Sequence, residues 1–185
     1  MRRFVVLFLL LMVAFVSVVQ AQTPATAPKP DPELKKLQAL VGHWTYEGEY
    51  KPGPLGPSGK ITAEYSAQWK LNGFVLLASA SEKGAAATVH FLEVDEYNPK
   101  DKAINWTTWA SDGTHMSGTI TVAGDTITWE GKFTVGGKEY QLKEPFVLSA
   151  DRMSGTAKGD ISTDGKTWTS WFEGKYTKTP PAPKK

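Results

Sequence analysis

The chain has no cysteine among its 185 residues, so neither disulfides nor thiolate chemistry contributes to it. Its three histidines, His43, His90 and His115, do not have the spacing of a metal-binding or catalytic motif. A phosphate-binding loop, a dinucleotide fingerprint and a nucleophile elbow are also missing. The sequence therefore predicts no catalytic residue, no metal site and no cofactor.

Long runs of charge of one sign are also missing. The chain carries 21 Lys and Arg residues against 19 Asp and Glu residues, and two of the basic ones are Arg2 and Arg3 near the N-terminus. Without these two arginines the acidic and basic residues balance. A neutral chain without a basic stretch is poorly suited to nucleic acid or to an anionic membrane surface, so we expect neither as a partner.

The first 21 residues have the organisation of a secretory signal peptide. Arg2 and Arg3 precede an apolar run from Phe4 to Val19, and Val19-Gln20-Ala21 offers small residues for cleavage. The run is short for a membrane span. We expect cleavage after Ala21, export to the periplasm or the cell exterior, and no stable membrane insertion afterwards.

One domain lies between two polar segments. Residues 22–30 are rich in Thr, Ala, Pro and Lys and are expected to form a flexible spacer, and residues 179–185 are expected to form a disordered tail. The domain, residues 31–178, opens with Asp31-Pro32-Glu33, which is typical of a helix start. Apolar residues then share one face as far as Gly42, which predicts a short helix that plugs or braces one end of the domain.

Beyond Gly42 the apolar period changes from helical to two, which is typical of half-buried strands. Short turns such as Asn72-Gly73 and Asp112-Gly113 leave no room for crossover helices. The sequence predicts an all-β fold, a single up-and-down antiparallel barrel of about ten strands preceded by one short helix, with a two-sheet sandwich as the alternative. The strand candidates are residues 43–50, 61–69, 74–81, 88–97, 102–110, 115–122, 126–133, 138–148, 152–161 and 167–178.

Three short motifs frame the domain: Leu37-x-x-Leu40-Val41-Gly42-x-Trp44, the Gly48-x-Tyr50 that follows, and the closing Gly174-x-Tyr176. With the turn-separated strands they resemble the calycin superfamily, which includes lipocalins and fatty-acid-binding proteins. More narrowly, residues 33–178 are similar to an uncharacterised family of exported bacterial lipocalin-like domains. The resemblance implies a barrel with an apolar ligand and gives Trp44 the role of sealing its closed end, but it implies no agreed activity.

Nitrobindin-like haem proteins begin in a similar way, with a Gly-x-Trp leading into a Gly-rich strand. They bind haem through a His on the last strand. The matching residues 169–176 contain no His, which disfavours haem binding of the same type and leaves a haem binder as a less favoured alternative.

Seven tryptophans are many for a domain of this size, and strands favour aromatic residues as core filling. We predict that some of the aromatic residues on the more apolar strand faces line a cavity and hold a ligand by their flat faces and N–H or O–H tips. These residues are Tyr65, Trp69, Trp106, Trp129, Trp168 and Phe172. Trp109 and Trp171 fall on the opposite faces of their strands, where joint exposure would indicate a contact patch.

Acidic residues fall on the strand faces opposite to the aromatic ones and are expected to be solvated; they are Glu47, Glu49, Glu64, Glu130 and Glu173. The leading hypothesis is an exported lipocalin-like barrel that binds a small apolar or amphipathic molecule. The alternative is a structural or protein-binding barrel with a filled interior. An enzyme of calycin type is a third hypothesis, and it would need Glu64 or Glu130 close to His90 or His115 in a polar cavity. The ligand and the oligomeric state stay open.

Overall fold

A computed structural model describes residues 27–85 and 87–180. The predicted signal peptide, its cleavage site, most of the spacer and residues 181–185 of the predicted tail lie outside the described residues. Within the described ranges, no helix is long and apolar enough to cross a membrane.

The strands form one closed antiparallel barrel. Each strand pairs with its neighbours in the sequence, and the last strand pairs with the first, so every strand has a partner on both sides. The predicted up-and-down barrel is confirmed, and the sandwich alternative is wrong. The strands are β1 Gly42–Tyr50, β2 Gly59–Lys70, β3 Val75–Lys83, β4 Thr88–Asn98, β5 Ala103–Ala110, β6 His115–Ala123, β7 Thr126–Val135, β8 Lys138–Leu148, β9 Ser154–Ser162 and β10 Thr169–Thr179.

Alternation along the strands places the apolar side chains inside the barrel. Trp44 and Tyr46 of β1 are buried, and the residues between and beside them are exposed. The same pattern recurs on β8, where Leu142 and Phe146 are buried. Burying one face of each strand fixes the register, because a slip of one residue would move the apolar side chains into water.

Pairs of glycines let large rings lie flat against the inner wall. Gly118 of β6 and Gly131 of β7 are direct partners, and Trp106 of β5 is the neighbour of Gly118 in register. A Cβ on Gly131 would lie 2.7 Å from the Trp106 ring and 2.3 Å from the carbonyl oxygen of Ser117. Only glycine therefore fits beneath this indole.

A 3-10 helix, Pro32–Leu40, closes one end of the barrel. The Asp31 side chain caps it by accepting a hydrogen bond of 2.9 Å from the backbone N–H of Glu33. The helix has about three residues per turn, so Leu34 and Leu37 face the same way, and both are buried in the core. The predicted plug is therefore present as a 3-10 helix.

Two polar contacts hold the C-terminal end of this helix to the barrel. The indole Nε1 of Trp44 donates to the Leu40 carbonyl over 2.9 Å, and the ammonium group of Lys178 donates to the Ala39 carbonyl over 2.9 Å. The same ammonium lies 5.1 Å from the centre of the Trp44 ring. Trp44 thus lies at the closed end, where the resemblance to calycins places it.

Candidate functional site

The barrel encloses a cavity of about 570 Å³. Leu40 of the helix and Trp44 line its closed end, and the loop 51–58 between β1 and β2 borders its mouth at the opposite end. Cavities of this volume are typical of small-molecule sites.

Four of the six predicted site residues line this cavity: Tyr65, Trp106, Trp129 and Phe172. They come from β2, β5, β7 and β10, so the barrel brings together positions that are far apart in the sequence. Their role in holding a ligand stays a prediction.

Trp69 and Trp168 lie outside the cavity lining. Trp69 is at the helix end of β2, where its indole Nε1 donates to the Gln38 side chain over 2.8 Å. Trp168 precedes β10 in the turn from β9 and is 40% exposed. The structure therefore places Trp69 against the plug and Trp168 at the surface.

A β-bulge explains why alternation misplaced residues at the start of β10. Ser170 pairs with Asp160 and Phe172 pairs with Gly159, so Trp171 is one extra residue between them. The period-two pattern that groups Trp168 with Phe172 does not continue across this insertion.

Trp171 itself points inward, and its predicted place on the outer face is wrong. It stacks on Phe133 with ring centres 5.5 Å apart and on Tyr50 with ring centres 5.9 Å apart. It also lines the cavity near its mouth. Trp109 is 48% exposed, in agreement with its predicted outer position. Because Trp171 points inward, the two tryptophans do not form a joint surface patch.

Sequence reasoning missed four carboxyl groups that the strands carry into the cavity: Glu82, Glu93, Asp95 and Glu144. They project from β3, β4 and β8 into an otherwise largely aromatic and aliphatic wall. A signal for Glu144 exists in the sequence, since it stands in the apolar alternation of Tyr140, Leu142, Phe146 and Leu148.

Glu93 and Asp95 lie two residues apart on the inner face of β4. Thr108 donates to one Glu93 oxygen over 2.7 Å, and the indole Nε1 of Trp129 donates to the other over 3.2 Å. Asp95 is only 1% exposed, and its Oδ1 has no hydrogen-bond partner among the described residues. Burial raises the pKa of Glu93, and burial together with the Glu93 charge raises the pKa of Asp95 well above its usual range.

Glu144 and Glu82 are the other two interior carboxyls. Burial, reinforced by the charges of Glu93 and Glu82, raises the pKa of Glu144 to about 8. Glu82 accepts a hydrogen bond from the Tyr50 hydroxyl, and burial raises its pKa. The cavity therefore retains protons on carboxyl groups at pH values where a surface carboxylate is ionised.

Tyrosine hydroxyls complete the polar part of the wall. The Tyr176 hydroxyl donates to that of Tyr65 over 3.4 Å. Tyr46 is 2% exposed, and its hydroxyl has no hydrogen-bond partner within the described part of the chain. Burial raises the pKa of all three phenols, so they stay neutral and can donate or accept hydrogen bonds.

The charged groups of the cavity are nearly all acidic. Among the described residues that line it, Lys51 at the mouth is the one basic side chain. Its ammonium group binds Glu49 and lies 2.6 Å from a Glu173 oxygen, both of which belong to the outer surface. The deeper carboxyls therefore have no cationic side chain to pair with.

The acidic residues predicted to be solvated are exposed in the structure: Glu47, Glu49, Glu64, Glu130 and Glu173. His90 and His115 are exposed as well, on the outer faces of β4 and β6. The polar cavity is thus built from different carboxyls than those considered for the enzyme hypothesis. In the described part of the chain, no three His, Asp or Glu side chains are grouped as a metal site would require.

Residues 29–178 match the model of the protein family DUF1579, whose description is "Protein of unknown function". No curated protein matches the chain. Among solved structures, Rv2717c from M. tuberculosis is similar with a TM-score of 0.60 and 14% identity, over 82% of this chain and 100% of that one. At this identity the likeness shows the fold alone.

Two further structures are more distant. A de novo designed fluorescence-activating β-barrel has a TM-score of 0.41 and 11% identity, over 77% of this chain and 95% of that one. The S-type phycobiliprotein lyase CPES from Guillardia theta has a TM-score of 0.48 and 9% identity, over 80% of this chain and 93% of that one. The predicted resemblance to an uncharacterised lipocalin-like family is confirmed by the family match and the barrel.

Proposed function

Because this chain belongs to the DUF1579 family, whose function is unknown, its role has to be inferred from its own cavity, and we propose that it binds a small apolar or amphipathic molecule there. The observation that carries the proposal is the cavity of about 570 Å³, with aromatic walls and a few polar groups facing inward. Small-molecule sites combine these two features.

The proposal places this binding outside the cytoplasm. The N-terminal sequence from Arg2 to Ala21 supports export to the periplasm or the cell exterior. Cleavage after Ala21 would leave a protein that begins at Gln22 and carries its ligand without a membrane anchor.

Native mass spectrometry of the protein, purified gently from an exporting host, tests both parts of the proposal. We expect a polypeptide mass that begins at Gln22 and an additional non-covalent mass that is lost on denaturation. An Ala80→Trp variant, which fills the cavity from β3, is expected to lose the additional mass, while Trp168→Ala at the surface retains it. An absorbance scan of the same sample identifies any chromophore, including haem.

A bare polypeptide would contradict the proposal if the protein also failed to bind N-phenylnaphthylamine, a neutral fluorescent probe for apolar cavities. A mass that retains residues 1–21 in the exporting host would contradict export alone. The alternative of a protein-binding barrel with a filled interior fits poorly with the cavity and with the inward position of Trp171.

A further inference from the structure

We infer that the molecule bound in the cavity is an organic cation, an ammonium group on an apolar body, seated against the carboxyls of Glu93, Asp95 and Glu144. This inference rests on the proposed function and specifies its ligand. The carboxyls line the inner wall, and the one basic side chain among the described lining residues is Lys51, held at the mouth. An anionic head group would find no cationic partner in the deeper wall, and it would meet like charge on any carboxyl that ionises.

Two buried polar atoms lack partners inside the described barrel. They are Oδ1 of Asp95 and the hydroxyl of Tyr46, and both residues line the cavity. Buried polar atoms are nearly always hydrogen-bonded in folded proteins, so these two orphaned atoms indicate a missing partner in the cavity. An ammonium group has three N–H donors and no acceptor, which suits a carboxylate oxygen and a phenol oxygen.

The walls around the carboxyls suit a cation with an apolar body. Trp106 and Trp129 present indole rings to the cavity, and cations bind favourably over such rings. Trp129 also fixes Glu93 by its hydrogen bond of 3.2 Å, so the carboxyl is oriented before a ligand arrives. The volume of about 570 Å³ leaves room for an apolar body beyond the ammonium group.

Binding of such a cation is coupled to proton release. A protonated carboxyl loses its O–H proton to the buffer, and the resulting carboxylate pairs with the incoming ammonium, so charge inside the cavity is conserved. Burial raises the pKa of Glu144 to about 8, so this carboxyl holds a proton at neutral pH, and the pKa values of Glu93 and Asp95 are raised as well. The other titratable groups that line the cavity are Tyr46, Tyr50, Lys51, Tyr65, Glu82, Asp112 and Tyr176.

Three ligands that differ only in their head group test the inference: phenylbutylamine, phenylbutanol and phenylbutyrate. Each is titrated into the mature protein by isothermal calorimetry in two buffers of different ionisation enthalpy. We expect the amine to bind at least about tenfold tighter than the alcohol and the carboxylate, because hydrogen bonds to charged groups are the stronger ones. The amine alone should release protons, and its affinity should rise between about pH 6 and pH 8.

Matched substitutions assign the effect to the interior. Glu144→Gln and Asp95→Asn are each expected to reduce the affinity for phenylbutylamine about tenfold, and that for phenylbutanol much less. Glu64→Gln, on the exposed face of β2, should change neither. If circular dichroism shows that Asp95→Asn does not fold, the test relies on Glu144→Gln alone.

Equal affinity for the amine, the alcohol and the carboxylate would overturn the inference and leave the proposed container intact. Absence of binding by all three and by N-phenylnaphthylamine would overturn the proposed function instead. Tight binding of calcium or magnesium that is lost in Asp95→Asn, with no preference for the amine, would also overturn the inference and assign the carboxyls to a metal ion.

Discussion

Trp129 hydrogen-bonds Glu93 inside the barrel, its indole Nε1 donating to the carboxyl oxygen over 3.2 Å. The two residues belong to β7 and β4, and strands β5 and β6 separate them in the barrel order. Thr108 of β5 holds the second oxygen of the same carboxyl over 2.7 Å. The carboxyl is therefore fixed from two strands, and its position in the cavity does not depend on a ligand.

Trp129→Phe should loosen this arrangement while keeping an aromatic wall. The hydrogen bond from Trp129 lowers the pKa of Glu93, so its loss raises that pKa further. We expect the affinity for phenylbutylamine at pH 7 to fall several-fold and its pH dependence to move upward, measured by calorimetry over a pH series. Trp168→Phe, at the surface, serves as the control and should bind like the wild type.

Glu144→Gln should flatten the dependence of stability on pH. Because burial raises the pKa of Glu144 to about 8, the folded state binds more protons than the unfolded state between its ordinary pKa and about 8. The free energy of unfolding therefore falls as the pH rises through this range. Urea unfolding at about pH 5 and about pH 9 should show a smaller loss of stability in the variant, by about 4 kcal/mol.

The outer-face substitution Glu64→Gln should keep the pH dependence of the wild type. Equal losses of stability in Glu144→Gln and the wild type would mean that Glu144 titrates as an ordinary surface carboxyl.

Gly131→Ala should destabilise the barrel because its Cβ has no space. The added atom would lie 2.3 Å from the Ser117 carbonyl oxygen and 2.7 Å from the Trp106 ring, so backbone or indole must move. We expect a loss of about 2 kcal/mol in urea unfolding. Gly84→Ala is the matched control, because its Cβ would meet no atom of the described residues closer than 3.8 Å. Equal stability of the two variants would contradict the close approach of Trp106 to the wall.

Trp171→Ala and Trp168→Ala separate the inward indole of the bulge from the exposed one beside it. Trp171 stacks between Tyr50 and Phe133, so its removal should cost about 2 kcal/mol and weaken ligand binding at the mouth. Trp168→Ala should change the free energy of unfolding by less than about 0.5 kcal/mol. Similar effects of the two substitutions would show that the bulge does not turn Trp171 inward.

The strands were predictable because alternation and turn residues agree along the chain. Asn72 and Gly73 have φ values of 56° and 90°, the left-handed conformation that such residues tolerate, and they connect β2 to β3 as predicted. Each observed strand begins and ends within two residues of its prediction. Because each strand buries one face, apolar and polar residues alternate along it, and this alternation can be recognised in a single sequence.

The interior carboxyls and the bulge were not predictable by the same means. On β4, Leu92 and Val94 of the outer face are as apolar as Val89 and Phe91 of the inner one, so the pattern does not tell which face holds Glu93. Only pairing with β5, which sets Asp95 beside Trp106, decides it. The sequence of β10 alone does not reveal that Trp171 is an extra residue, because a bulge is defined by two residues on one strand that lie opposite one residue of the partner strand.

The 3-10 helix Pro32–Leu40 closes one end of the barrel, and the loops at the other end border the cavity mouth. A molecule in this cavity must therefore leave by the route through which it entered, and a second one cannot follow until it has gone. Exchange of one ligand for another is then sequential. Its rate is set by departure of the first molecule and is independent of the concentration of the second.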